Sequence, residues 1–239
     1  MNISEKTKFI SNWIKSYVDQ MPVKAESLVI GISGGIDSSV SSTLSAMTGL
    51  KTIVLTMPIK QKEDQNNLSL KHKEWLIKNF KNVEAHTINL DKLFESFSST
   101  LEKFDNEHGF ANSRARLRMT TLYQVAAANK GIVVGTGNKV EDFGVGFYTK
   151  YGDGGVDISP IADCNKTEVW ELGKELGILK EIIDAPPTDG LWDDGRTDEG
   201  QLGFKYEDLE DAMKNPNSPH RQEYEKIRKQ NLHKMEPIP

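Results

Sequence analysis

The stretch from Gly31 to Val40 reads GISGGIDSSV, and its residue types belong to the chemistry of anions. Glycines let a backbone turn tightly and approach a ligand closely. Serine hydroxyls donate hydrogen bonds, and the N–H groups that open a helix carry partial positive charge. Together these features describe a cradle for phosphate. Asp37 contradicts that cradle unless a cation stands between its carboxylate and the anion, and Mg²⁺ is the natural choice. The turn lacks the lysine of GxxxxGK[ST] and does not follow GxGxxG, so neither standard phosphate loop applies.

Such a turn needs a strand before it and a helix after it. The apolar run at 27–33 reads as a buried strand, and 38–48 as the helix that follows. Further strands are expected at 52–57, 83–90 and 132–137. Helices are expected at 3–21 and 65–80, with a long helical stretch before the fourth strand that ends in SRARLRMTTLYQVAAANKG. Strands separated by helix-length segments predict an α/β fold, an open parallel sheet with helices on both faces. Helical patterns at 167–177, 206–213 and 220–232 predict a helical C-terminal extension. Ligands of such sheets bind beyond the carboxyl ends of the strands, where the glycine-serine turn is expected.

Composition limits the partners. The formal net charge is −5, which argues against nucleic acid held on a broad basic surface. No run is long and apolar enough to span a membrane, and MNISEKTKF lacks a signal-peptide core, so a cytoplasmic protein is expected. The single cysteine, Cys164, excludes an intrachain disulfide and a cysteine-rich metal cage. The histidines show no zinc spacing.

SGGIDSS resembles the SGGxDS pyrophosphate loop of the N-type ATP pyrophosphatases, which transfer AMP from ATP to a carboxylate or carbonyl oxygen. Within that superfamily, GTGNKVEDFGVGFYTKYGDGGVDISPIAD (135–163) resembles the central signature of NAD synthetase. NSRARLRM (112–119), APPT (185–188), the run TDE to YEDLE (197–210) and LHKMEPIP (232–239) resemble it too, in the family's order. The resemblance implies an adenine nucleotide alpha-hydrolase-like fold, one synthetase domain over 1–239, deamido-NAD, ATP and ammonia as substrates, Mg²⁺, and a homodimer. It implies ATP contacts at Gly31, Ile32, Ser33, Gly34, Gly35, Ile36, Asp37, Ser38, Thr136, Lys166 and Thr188. It places deamido-NAD on Arg116, Lys150, Asp157, His233 and Lys234, and the metal on Asp37 and Glu141, with Asp142 as the alternative to Glu141.

The residues add expectations of their own. Neighbouring strands at a switch point would bring Glu141 towards Asp37. Lys166 would neutralise charge on a transferring phosphate. Arg114, Arg116 and Arg118 alternate, so on a helix Arg116 points away from the other two. Trp13, Trp75 and Trp170 read as core or interface residues. The acidic loop 189–203, with Trp192 inside it and a trypsin site at Arg196, reads equally as a mobile cover or as a solvated loop. The residues ahead of the first strand suffice for one helix and not for a glutamine amidase domain, so free ammonia is the expected nitrogen donor. A tRNA-modifying enzyme would want more cysteine or a basic extension, and a passive nucleotide-binding module would have little use for paired metal carboxylates.

Overall fold

The computed structural model describes residues 1–60, 63–188, 191 and 197–236, with 63–66 described by backbone alone. Four parallel strands, β1 (Ser27–Gly31), β2 (Lys51–Thr56), β3 (Val83–Thr87) and β4 (Gly131–Val133), form one sheet in the order β3-β2-β1-β4. The chain leaves β1 towards β2 on one side and returns to it as β4 on the other. The switch point therefore lies between β1 and β4.

Side-chain alternation along the strands assigns the layers. Leu28 and Ile30 of β1, Val54 of β2 and Ile132 of β4 join one core. It also holds residues of α1 (Ile3–Gln20), α2 (Ile36–Met47), α3 (Glu63–Asn79) and α6 (Lys166–Glu175). Val29, Ile53, Leu55 and Val133 face the opposite core with α4 (Asp91–Thr100) and α5 (Glu107–Ala128). Helices thus cover both faces, as the periodicity predicts. A third core gathers α8 (Asp198–Leu202), α9 (Tyr206–Lys214) and α10 (Arg221–Met235) around a π-helical turn at Lys139–Val145. Short α7 (Lys180–Ile183) follows α6.

Helix α2 carries the glycine-serine turn and is enclosed on nearly every side: Ser38 through Ala46 are all buried. Small residues let neighbouring helices approach it. Several of its hydroxyls bond back along the chain, Ser39 Oγ donating to Gly35 O at 2.9 Å and Thr43 Oγ1 to Ser39 O at 2.7 Å, while Ser41 Oγ is buried without a partner among the described residues. On α6, a Cβ at Gly173 would come within 2.6 Å of Ile36 Cδ1, so that glycine permits the close approach of α6 to α2. Trp75 and Trp170 pack against the first core, whereas Trp13 stays 39 % exposed on α1.

Two boundaries differ from the sequence reading. The fourth strand stops at Val133; Val134 still donates its N–H to Val29 O at 2.9 Å, but it also bridges Ile158, whose carbonyl accepts the Gly135 N–H at 2.7 Å. The long helical stretch is broken at 101–106, where Asn106 accepts the Gly109 N–H at 2.7 Å and starts α5 afresh. Of the acidic loop, residues 189–190 and 192–196, with Trp192 and Arg196, lie outside the described residues, and 198–202 are helical.

Two outcomes follow for stability. Ile30→Ala, in the fully buried centre of β1, is expected to cost about 2–5 kcal/mol in urea unfolding, while Leu93→Ala, half exposed on α4, stays within about 0.5 kcal/mol. His72, buried between α2 and α3 with Nε2 3.0 Å from Ser42 Oγ, is pushed down to about 4 by burial. Its folded value lies below its unfolded one, so its contribution is complete above the unfolded pKa and is lost as pH falls through the window between the two. Unfolding free energy should drop by about 2 kcal/mol from this group between pH 7 and pH 5, and a His72→Gln variant should lack that component.

Candidate active site

The turn is braced by its own serines. After β1, the Ile32 N–H donates to Leu55 O at 2.8 Å, which keeps the chain in line with the sheet. Gly34 then adopts φ 92°, a conformation that disfavours any side chain. Ser33 Oγ accepts the Gly35 N–H at 3.2 Å and lies 3.0 Å from Ser38 Oγ, which in turn donates to Gly35 O at 3.0 Å. Gly35 is the N-cap of α2, and among the described residues no side chain caps that helix. Its first-turn N–H groups therefore keep their capacity for an anion.

At the mouth of this turn three charged groups from distant segments meet. Lys166 Nζ, at the start of α6, lies 2.6 Å from Asp37 Oδ2 and 2.8 Å from Glu141 Oε1. The lysine side chain is only 1 % exposed, while Asp37 and Glu141 keep 18 % and 14 %, so the carboxylates form the open side of the cluster. Burial alone would push the Lys166 amine down; the two carboxylates outweigh it and hold the ammonium protonated. Burial likewise opposes ionisation of Glu141, but Lys166, Tyr206 and Asn138 together lower its pKa. At Asp37 burial prevails, reinforced by the Glu141 charge, and its pKa is raised.

Asn138 and Tyr206 complete the cluster, and neither was singled out in the sequence. Asn138 is fully buried; its Oδ1 caps the π-helical turn by accepting Val140 N–H and Glu141 N–H, and its Nδ2 donates to Asp37 Oδ1 at 3.0 Å. An asparagine three residues ahead of a glutamate is a capping signal that the sequence offered. Tyr206, also fully buried, donates its hydroxyl to Glu141 Oε1 at 2.5 Å and lies 3.5 Å from Asp198 Oδ2. Nothing in the local pattern marked it, because the contact spans 65 residues.

Of the adjacent acids, Glu141 is therefore the one that shares a partner with Asp37. Asp142 turns away beneath Gly137, where a Cβ would fall 1.9 Å from its Oδ2. Burial, with Asp153, Glu141 and Asp37 nearby, raises its pKa well above the usual range. No group of three or more His, Cys, Asp or Glu is placed to hold a metal among the described residues. Two partly open carboxylates are nevertheless a fitting donor set for a hard divalent cation whose other ligands are phosphate oxygens and water.

Of the remaining residues, Thr136 is half-buried between β4 and the π-helical turn, and Thr188 is half-buried just before residue 189. A second group forms around the C-terminal helix. Arg116 is exposed, on a different side of α5 from the buried Arg114, and donates through Nε to Lys150 O at 3.1 Å. Lys150 Nζ donates to His233 O at 3.0 Å, and Lys234 Nζ to Tyr148 O at 2.9 Å. Arg114, by contrast, is buried and donates to Leu191 O, and Arg118 donates to Met57 O. Asp157 is held elsewhere, at the edge of β4, where it accepts Val133 N–H at 2.7 Å and Tyr123 OH at 3.0 Å. Beside it an open cavity of about 500 Å³ is lined by Met119, Thr120, Tyr123, Gln124, Tyr151 and Gly155.

Comparison with known proteins places this geometry. The family model described as NAD synthase matches residues 6–237. The chain belongs to the NAD synthase family. Members of that family catalyse the ATP-dependent amidation of deamido-NAD to NAD. The NH(3)-dependent NAD(+) synthetase of Carboxydothermus hydrogenoformans is 38 % identical over 216 residues, covering 88 % of this chain and 85 % of that protein. The NH(3)-dependent NAD(+) synthetase of Finegoldia magna is 36 % identical, covering 98 % of this chain and 94 % of that protein. Among solved structures, the NMN synthetase of Francisella tularensis superposes with a TM-score of 0.91 at 33 % identity, covering 100 % of this chain and 98 % of that one.

The buried cluster makes a stability prediction for this NAD synthase-family chain. Lys166→Met leaves Asp37 and Glu141 without their cation and is expected to cost about 3–5 kcal/mol in metal-free urea unfolding. A loss below about 1 kcal/mol would mean that the ammonium is not what holds the carboxylates.

Proposed function

We propose that this chain amidates the nicotinate carboxylate of deamido-NAD with ammonia, consuming ATP and releasing AMP and pyrophosphate. The observation that carries the reading is the Asp37–Lys166–Glu141 cluster at the mouth of the glycine-serine turn, in a chain of the NAD synthase family. A carboxylate is a poor acyl donor, so activation comes first. A carboxylate oxygen attacks the α-phosphorus, the bond to the bridging α–β oxygen breaks, and pyrophosphate leaves. Ammonia then attacks the acyl carbon, the bond to AMP breaks, and nitrogen gives up a proton.

In this reading the turn from Gly31 to Ser38, with Thr136, Lys166 and Thr188, binds ATP. The helix dipole of α2 and the Lys166 ammonium stabilise charge on the leaving pyrophosphate. Asp37 and Glu141 hold Mg²⁺, which when bound screens phosphate charge. Arg116, Lys150, Asp157, His233 and Lys234 bind deamido-NAD, and the open cavity beside Asp157 supports a ligand on that face. Positioning and charge stabilisation account for the chemistry, and no general base is assigned. The chain acts as a single synthetase domain taking free ammonia, as a homodimer in the cytoplasm. The names of the curated relatives support ammonia as the donor. Among the described residues no helix is long and apolar enough to cross a membrane.

A second reading concerns the size of the acceptor. The superposition on the Francisella tularensis protein, a named NMN synthetase, favours nicotinate mononucleotide, whose reacting carboxylate is the same. One assay separates the two. With ATP, Mg²⁺ and ammonium, the primary reading expects NAD, AMP and pyrophosphate in equal amounts from deamido-NAD, and no NAD when glutamine replaces ammonium. A larger kcat/KM for nicotinate mononucleotide than for deamido-NAD would transfer the assignment to the mononucleotide, and no amide product from either would remove the amidation reading.

A further inference from the structure

Glu141 Oε1 has two donors of different kinds in this structure, the charged ammonium of Lys166 at 2.8 Å and the neutral phenol of Tyr206 at 2.5 Å. Asp37 is arranged in the same way: Lys166 occupies Oδ2 at 2.6 Å, while the buried amide of Asn138 holds Oδ1 at 3.0 Å. A divalent cation bridging Asp37 Oδ2 and Glu141 Oε1 would take the place that the Lys166 ammonium holds between them. Two cations so close repel strongly in a site of low dielectric, so they exclude one another. The donors that can stay are Tyr206 and Asn138, and both are locked. Tyr206 is fully buried with its ring edge-on to Trp170, and its N–H bonds to Glu199 Oε1 at 3.2 Å. Asn138 is pinned by its cap of the π-helical turn.

We infer that Tyr206 is a positioning residue for the metal: it keeps Glu141 in place, as Asn138 keeps Asp37, while Lys166 gives up its position between the two carboxylates to the cation. The inference rests on the assignment of Asp37 and Glu141 to Mg²⁺. Release of Lys166 requires a new anion for it, and the phosphates of ATP are the anion at hand. Cation and nucleotide therefore bind with mutual reinforcement, and neither carboxylate has to search for its geometry when they arrive. Removing the phenol loosens one ligand, a loss that for hydrogen-bond partners of metal ligands amounts to about 10- to 100-fold in metal affinity.

The test is Mn²⁺ titration followed by electron paramagnetic resonance, with and without an ATP analogue whose α–β bridge is methylene. Wild type is expected to bind Mn²⁺ weakly alone and tightly with the analogue; equal affinity in both would overturn the exchange. Tyr206→Phe is expected to weaken Mn²⁺ binding in the presence of analogue by about tenfold or more, with analogue affinity in the absence of metal unchanged. An unchanged Mn²⁺ affinity in that variant would overturn the role of Tyr206, and a merely structural role would lower the unfolding temperature without moving the Mn²⁺ affinity. Lys166→Met should bind Mn²⁺ more tightly than wild type when no nucleotide is present, and Mn²⁺ should raise its unfolding temperature or restore its folding. Failure of both effects would overturn the exchange. No Mn²⁺ bound to wild type with analogue would remove the metal assignment itself. NAD formation from deamido-NAD, measured separately, reports on the proposed activity alone.

Discussion

One buried ammonium ties together the parts of this molecule that matter for its chemistry. Lys166 at the start of α6 reaches Asp37 in the first turn of α2 and Glu141 in the π-helical turn after β4, across separations of 129 and 25 residues. An uncompensated carboxylate in that position would be costly, and an uncompensated lysine equally so. The three segments are consequently satisfied only when all of them are in place. Backbone order prepares this meeting: β1 lies between β2 and β4, so the turn leaving β1 and the chain leaving β4 emerge side by side at the same end of the sheet.

Packing then fixes the third member. Gly173 lets α6 lie close on α2, against Ile36 and Val40. Lys166 is thereby delivered to the mouth of the turn as the first residue of its helix. Its position at that end of α6 is unfavourable to a cation on dipole grounds alone. The two carboxylates outweigh that effect, and so the placement is bound to the site rather than to the helix.

Much of this was legible in the residues. The apolar runs ending in glycine gave the parallel sheet, and the small polar turn at 31–40 gave an anion cradle with a misplaced acid, Asp37, that demanded a cation. The alternation of Arg114, Arg116 and Arg118 set Arg116 apart from the other two, and it is the exposed one, while Arg114 is buried and Arg118 half-buried. What the local pattern could not carry was partnership over distance. Tyr206 sits in a helix whose apolar spacing reads as ordinary core, and its hydroxyl acquires a role only because the third core folds over the π-helical turn. Strand ends were legible only roughly, since the apolar run continues through Val134 while the chain changes partner there from β1 to Ile158.

That third core has a consequence for motion. Tyr206 is both its largest fully buried side chain and the hydroxyl that donates to Glu141 Oε1. Val140 and Val145, which flank Glu141, lie in the same core as Leu202, Leu209 and Tyr224. Residues that share one core and one buried hydrogen bond open together rather than singly. The C-terminal helices and the carboxylate at the mouth of the turn thus form one cooperative unit, and the acid keeps its orientation only while the helical appendage stays folded.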